Sequence, residues 1–166
     1  MFVGKFLIDV APVGGEQKAE AIRDIAKRLG MDLCNVMYVG DSITDVEAFK
    51  LVRANGGLTV SFNGNNYAVK NADVAVLSES NLVTAVIAEL FVNTDKEHTL
   101  NVLSSWNYEE LTKNGANQNL LSQISNQQTN TLPKVQIVTT KNMESLARES
   151  SEFRKKVRGV AIGRLG

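Results

Sequence analysis

With 166 residues, of which 43% are hydrophobic and 22% charged, the chain is long enough and apolar enough to bury a real core, which excludes a disordered segment and a stapled mini-protein. The formal net charge is zero, so long-range attraction favours neither nucleic acid nor an anionic membrane as a partner. Cys34 is the sole cysteine, which excludes an internal disulfide and points to a reducing, cytoplasmic compartment.

The run Met1 to Val13 is apolar but short and broken by Lys5 and Asp9, unlike a signal peptide or a membrane span. Within it Phe6 to Val10 reads as a strand, closed by Pro12 and Gly14-Gly15. A helix follows, with Ile22, Ile25, Ala26 and Leu29 spaced as one buried face and Gly30 at its stop. Val36 to Val39 is a continuous apolar run of the kind that forms strands covered on both faces. Gly40-Asp41-Ser42-Ile43 turns the chain into a second helix, for which Thr44 and Glu47 are spaced as a capping box and Ala48, Phe49 and Val52 as the core face. Leu58 to Phe62 predicts a strand, Asn63 to Asn66 a turn, Ala68 to Asn71 a short helix, Val74 to Leu77 a strand, and Asn81 to Val92 a helix. Strands alternating with helices over short links predict βαβ units and a parallel sheet covered on both sides, an α/β domain.

Beyond Asn93 the periodicity weakens. The stretch Asn114 to Thr131, rich in Asn, Gln, Ser and Thr, predicts loop or irregular helix, followed by a strand over Lys134 to Thr139 and a helix over Asn142 to Val157. The expected organisation is thus an α/β core over 1–92 and an extension of unknown role over 93–166. The basic run Arg154 to Arg158 near the end is read as a solvated helix face, so no nucleic-acid partner is expected.

Two features carry chemistry. Asp41 and Asp45 lie four apart at the carboxyl end of the Val36–Val39 strand, where open parallel sheets bind ligands, and Asp41 is placed to offer a carboxylate to a hard cation such as Mg²⁺. Taken alone the pair equally suits a turn residue and an acid favoured in a helix's first turn. Lys18 sits in the first turn of the Gly14-Gly15 helix, where a cation opposes the helix dipole, so an anion is expected beside it. Free amides at that start, Gly15 included, would add to a phosphate cradle; the alternative is a solvated lysine paired with Glu16 or Glu20. Ser42 and Asn63 line the expected mouth.

Together GGEQK (Gly14 to Lys18), YVGDSITD (Tyr38 to Asp45) and the following GLTVSFNGNNYAVKNADVAV, with Lys70, Ala72 and Asp73, resemble the haloacid dehalogenase superfamily of phosphohydrolases. The resemblance covers about residues 7–92. It implies a Rossmann-like three-layer fold, a small phosphorylated substrate, Mg²⁺ on Asp41 with Asp45 as second ligand or support, and Lys18 and Gly15 on the phosphoryl group, with Lys18, Asp41 and Asp45 as the catalytic set.

The pattern breaks at the front. The superfamily opens with an aspartate nucleophile and an acid two residues later; here the sole candidate is Asp9, followed at that spacing by Ala11 and too close to Lys18 for the intervening elements. Without that carboxylate no aspartyl-phosphate forms. Three explanations are open: the front half is missing from this sequence, a separate polypeptide supplies it, or the chain is a non-catalytic binding or regulatory relative. A receiver domain would place its lysine after the acids, and a dinucleotide-binding domain would need clustered glycines. A sheet lacking its nucleophile strand leaves the Val36–Val39 edge open, so either the late strand at 134–139, a second copy or a partner chain is expected to cover it.

Overall fold

A computed structural model describes residues 14–127 and 132–163. The strand expected over Phe6 to Val10, and Asp9 with it, lies outside the described residues.

Three parallel strands, β1 (Met37–Gly40), β2 (Leu58–Phe62) and β3 (Val74–Leu77), stand side by side in sequence order, with Val39 opposite Val60 and Val60 opposite Val74. A fourth, β4 (Lys134–Ile137), joins β3 antiparallel, with Val76 opposite Val135. The sheet is therefore mixed rather than wholly parallel. It also places the late strand on the opposite edge from Val36–Val39, so that strand does not cover β1. Among the described residues β1 pairs with β2 alone, and Val39 is 39% exposed.

Alternation along the strands sends side chains to two cores, because successive residues of a strand point to opposite faces. Leu58, Val60, Val74, Val76 and Val135 face one layer built from α4 (Leu82–Asn93), α5 (Lys96–Ser104), α6 (Tyr108–Lys113) and α7 (Gln118–Gln127). On the other face Tyr38 meets Phe49 of α2 (Val46–Ala54), Ala68 of α3 (Asn66–Asn71) and Ala72 just beyond it. Beside them Ala75 packs with Val69, Leu146 and Ala147, the last two from α8 (Met143–Gly163). The result is a three-layer α/β fold. Residues beyond Asn93 share its main core: Val102, Leu103, Leu111, Leu121 and Ile124 are all buried against the sheet.

Three local expectations change. The polar stretch after Asn114 contains a regular helix, α7, because Leu121 and Ile124, both fully buried, supply a stripe narrow enough to be hidden by its Asn and Gln neighbours. Helix α1 (Glu16–Leu29) does not bury its full apolar stripe: Ala19 and Ala26 are covered, whereas Ile25 is 48% and Leu29 66% exposed. Its packing within the described residues is chiefly on α2, a contact that small alanines suffice to make. The capping box is formed by Ser42 and Asp45 around a 3₁₀ turn over Ile43–Asp45, not by Thr44 and Glu47; Glu47 instead pairs with Lys50 at 2.8 Å. Among the described residues no helix is long and apolar enough to cross a membrane.

Candidate functional site

The carboxyl ends of β1 and β2, the start of α1 and the second half of α8 enclose a cleft of about 400 Å³, lined by Lys18, Gly40, Asp41, Asp45, Asn63, Arg154 and Arg158 among others. Its architecture starts with a glycine. A Cβ on Gly40 would lie 2.6 Å from Cβ and Cγ of Asp45, so only glycine lets the chain fold the Asp45 side chain back under the strand end.

There Asp45, 4% exposed, has both oxygens engaged. Lys18 Nζ donates to Oδ1 at 2.7 Å and the Tyr38 hydroxyl at 2.8 Å. The amides of Asp41 and Ser42 donate to Oδ2, each at 3.0 Å, and the Ser42 hydroxyl at 3.1 Å. Burial alone would push the Asp45 carboxyl up, but the Lys18 ammonium, the Asp41 amide, the Tyr38 hydroxyl and the Ser42 amide outweigh it and hold the carboxyl at about 2. Burial, and then the facing Asp45 carboxylate, push the Tyr38 phenol above its ordinary range, so it remains a proton donor. Tyr38 is itself fixed edge-on to Phe49, with ring centroids 5.5 Å apart.

Lys18 thus finds its anion, but in Asp45 rather than in Glu16 or Glu20. Thr44 Oγ1 takes a second ammonium hydrogen at 3.1 Å, which leaves the third without an acceptor among the described residues. Gly15, with φ of 53°, is placed otherwise than as a phosphate donor: its amide donates to the Thr44 carbonyl at 3.1 Å and ties the start of α1 to the acidic loop. Asn63 is at the mouth, but its side chain locks two strand ends together, donating to the Ser78 carbonyl at 2.7 Å and accepting from the Ser78 amide at 3.0 Å.

Asp41 is in the opposite condition from Asp45. Its side chain is 45% exposed and its Oδ2 is met by Arg154 Nη1 at 2.6 Å and Arg158 Nη2 at 3.3 Å. Its Oδ1 has no hydrogen-bond partner among the described residues. That single open oxygen is one donor of the kind a hard cation such as Mg²⁺ takes, the rest of whose shell would come from water and substrate oxygens. No group of three or more acidic, histidine or cysteine side chains gathers among the described residues, so a site built wholly from protein ligands is not formed there.

The two arginines and Tyr38 are the site residues the sequence did not single out. Arg154 and Arg158 come from more than a hundred positions downstream, and the only signal was their spacing of four on one helix, continuing the stripe Leu146, Ala147 and Ser150. Asp73, by contrast, stands at the far end of the sheet, where it receives Thr59, Arg53 and Lys96 and plays no part in the cleft.

Residues 2–92 match the haloacid dehalogenase-like hydrolase family. The chain is 35% identical over 81 residues to the uncharacterized protein in the pdhA 5′ region of Geobacillus stearothermophilus, an overlap of 49% of this chain and 73% of that protein. It resembles the structure of gene product AF1437 from Archaeoglobus fulgidus with a TM-score of 0.70 and 30% identity, over 96% of this chain and 43% of the other. The chain therefore spans less than half the length of that solved structure, and the likeness of fold extends past residue 92. Lys18 and the acidic loop meet at the carboxyl edge of the sheet, the family match extends over more than half of the residues, and the chain belongs to the haloacid dehalogenase-like hydrolases.

Proposed function

We propose that this chain carries the cation- and phosphate-binding part of a Mg²⁺-dependent phosphohydrolase acting on a small phosphorylated metabolite. The observation that carries the reading is the meeting of Lys18 with the GDSITD loop: the ammonium is fixed 2.7 Å from Asp45 with one hydrogen unassigned, in the same cleft as the open oxygen of Asp41. Asp45 acts through others in this reading. It orients Lys18 and pins the amides that shape the Asp41 turn. Asp41 would hold the cation, which when bound would withdraw charge from the phosphoryl oxygens. Lys18 would hold the phosphoryl group from the other side and offset its charge, the larger part of what a protein contributes to phosphoryl transfer. Turnover further requires a carboxylate nucleophile, and neither GGEQK nor GDSITD supplies one.

Ethylphosphonate, a stable phosphate-ester mimic, tests the reading by calorimetry. Binding that strengthens with Mg²⁺ and is lost in a Lys18→Ala variant that is still folded, at a melting temperature lowered because buried Asp45 loses its cation, is the expected result. No binding, or binding indifferent to Lys18, overturns it. A second reading, a binding or regulatory module without turnover, is favoured by the two guanidinia already on Asp41. Release of phosphate from p-nitrophenyl phosphate in Mg²⁺ would overturn this second reading, since a non-catalytic module gives none. The side of β1 that is unpaired among the described residues further supports a second copy or partner chain at that edge, and the lone cysteine supports a cytoplasmic setting.

A further inference from the structure

We propose that Arg154 and Arg158 form a receptor for a second anionic group on the substrate, so that the cleft takes a phosphorylated molecule that also bears a carboxylate. The inference rests on the phosphoryl-binding reading above and adds the substrate's class to it.

A guanidinium carries five N–H donors in a rigid plane. Among the described residues every hydrogen bond of Arg154 falls on one nitrogen: Nη1 reaches Asp41 Oδ2 at 2.6 Å, the Asp41 carbonyl at 2.7 Å and the Asn63 carbonyl at 3.1 Å. Its Nε and Nη2 have no acceptor among the described residues, although the side chain is only 15% exposed. Arg158 reaches Asp41 through Nη2 alone, at 3.3 Å, and its other donors are likewise unassigned. A structural ion pair would use the fork two-pronged, as guanidinium and carboxylate usually do. Here the single-nitrogen grip fixes the arginine and leaves the rest of its fork for something else.

The presentation is rigid. Helix α8 is pinned to α3 by the Lys70–Glu144 pair and to the neighbouring turn by the buried Ser150 hydroxyl, which donates to the Gly64 carbonyl at 2.7 Å. One helical turn further, Arg154 and Arg158 share a face that points into the cleft with Val157. Lys18 lines that same cleft. A small molecule of two anionic ends fits a space of about 400 Å³ bounded by cations from α1 and from α8. The planar two-oxygen geometry of a carboxylate matches the unassigned fork.

The test compares two stable probes, phosphonoacetate and ethylphosphonate, which differ in the carboxylate, by calorimetry on the full chain at saturating Mg²⁺. Wild type should bind phosphonoacetate at least about tenfold tighter, the scale of a charged hydrogen-bonded pair. Arg158→Gln, at an exposed position whose contact among the described residues is Asp41, should bring that ratio to within about twofold, and Arg154→Gln should do the same, with melting temperature checked because Arg154 also braces two carbonyls. Equal affinity of wild type for both probes overturns the receptor while the phosphoryl site stands. Loss of both probes to the same degree in Arg158→Gln, or a gain of both, also overturns it. If neither probe binds wild type, the phosphoryl reading falls and this one with it.

Discussion

Two knots of buried charge close the two ends of the sheet, and they are built to different specifications. At the amino end Asp73, 8% exposed, accepts the Thr59 hydroxyl at 2.8 Å, Arg53 Nε at 3.0 Å and Lys96 Nζ at 2.8 Å, while Lys96 also caps the Gly57 carbonyl. The groups that meet there belong to strand starts and helix ends, and they hold those elements in place. At the carboxyl end Asp45 is satisfied as completely, yet among the described residues its neighbours are not: Asp41 has an open oxygen, Lys18 an unassigned hydrogen, and Arg154 most of its fork. These groups are partly exposed, so solvent can complete them and a ligand can take its place. The contrast teaches that a buried carboxylate alone does not mark a site; unmatched groups around one do.

The comparison breaks most readily at Asp73. Asp73→Ala orphans the buried Thr59 amide and both cations, and should lower stability by about 3 kcal/mol in urea titration. Its Mg²⁺ affinity should match wild type. A large loss of Mg²⁺ binding in a still-folded Asp73→Ala would mean the two ends are not separable.

Asp45→Asn comes next, at about 2 kcal/mol, the size of the shift that holds its carboxyl at about 2 against an ordinary 3.8. Because the folded value is the lower one, the stabilisation is present above pH 3.8 and is lost as pH falls toward 2. Metal-free acid titration should therefore show wild type losing stability over that window and Asp45→Asn losing less. Identical acid limbs would contradict the assignment. Gly40→Ala should cost a similar or smaller amount, about 1–2 kcal/mol, because its methyl meets Asp45 and one of them must move. An unchanged melting temperature would show that the close approach does not constrain the loop.

Much of this was legible in the sequence because it was local. Lys18, Asp41 and Asp45 are set by short runs whose periodicity and turn residues speak for themselves, and so are β1, β2 and β3. What escaped notice depended on distance. Nothing near Arg154 says that α8 will cross to a turn more than a hundred residues earlier, and a basic run reads as a wet surface until its docking face is known. The antiparallel return of β4 to β3 was hidden for the same reason: the four helices between them fix which edge it reaches. Gly15 was misread in role because an amide at a helix start has the same sequence signature whether it faces a ligand or, as here, the Thr44 carbonyl. The exposed Ile25 and Leu29 show the converse, a stripe whose period is right and whose partner is not among the described residues.

Asp41→Asn gives the smallest effect on stability, within about 1 kcal/mol for a side chain 45% exposed, and the largest on the chemistry. Calorimetric titration of wild type and Asp41→Asn with Mg²⁺ is therefore the most direct test. Wild type is expected to bind at millimolar or tighter affinity and the folded variant not at all; equal binding by the two would show that the open oxygen of Asp41 is not the cation's ligand.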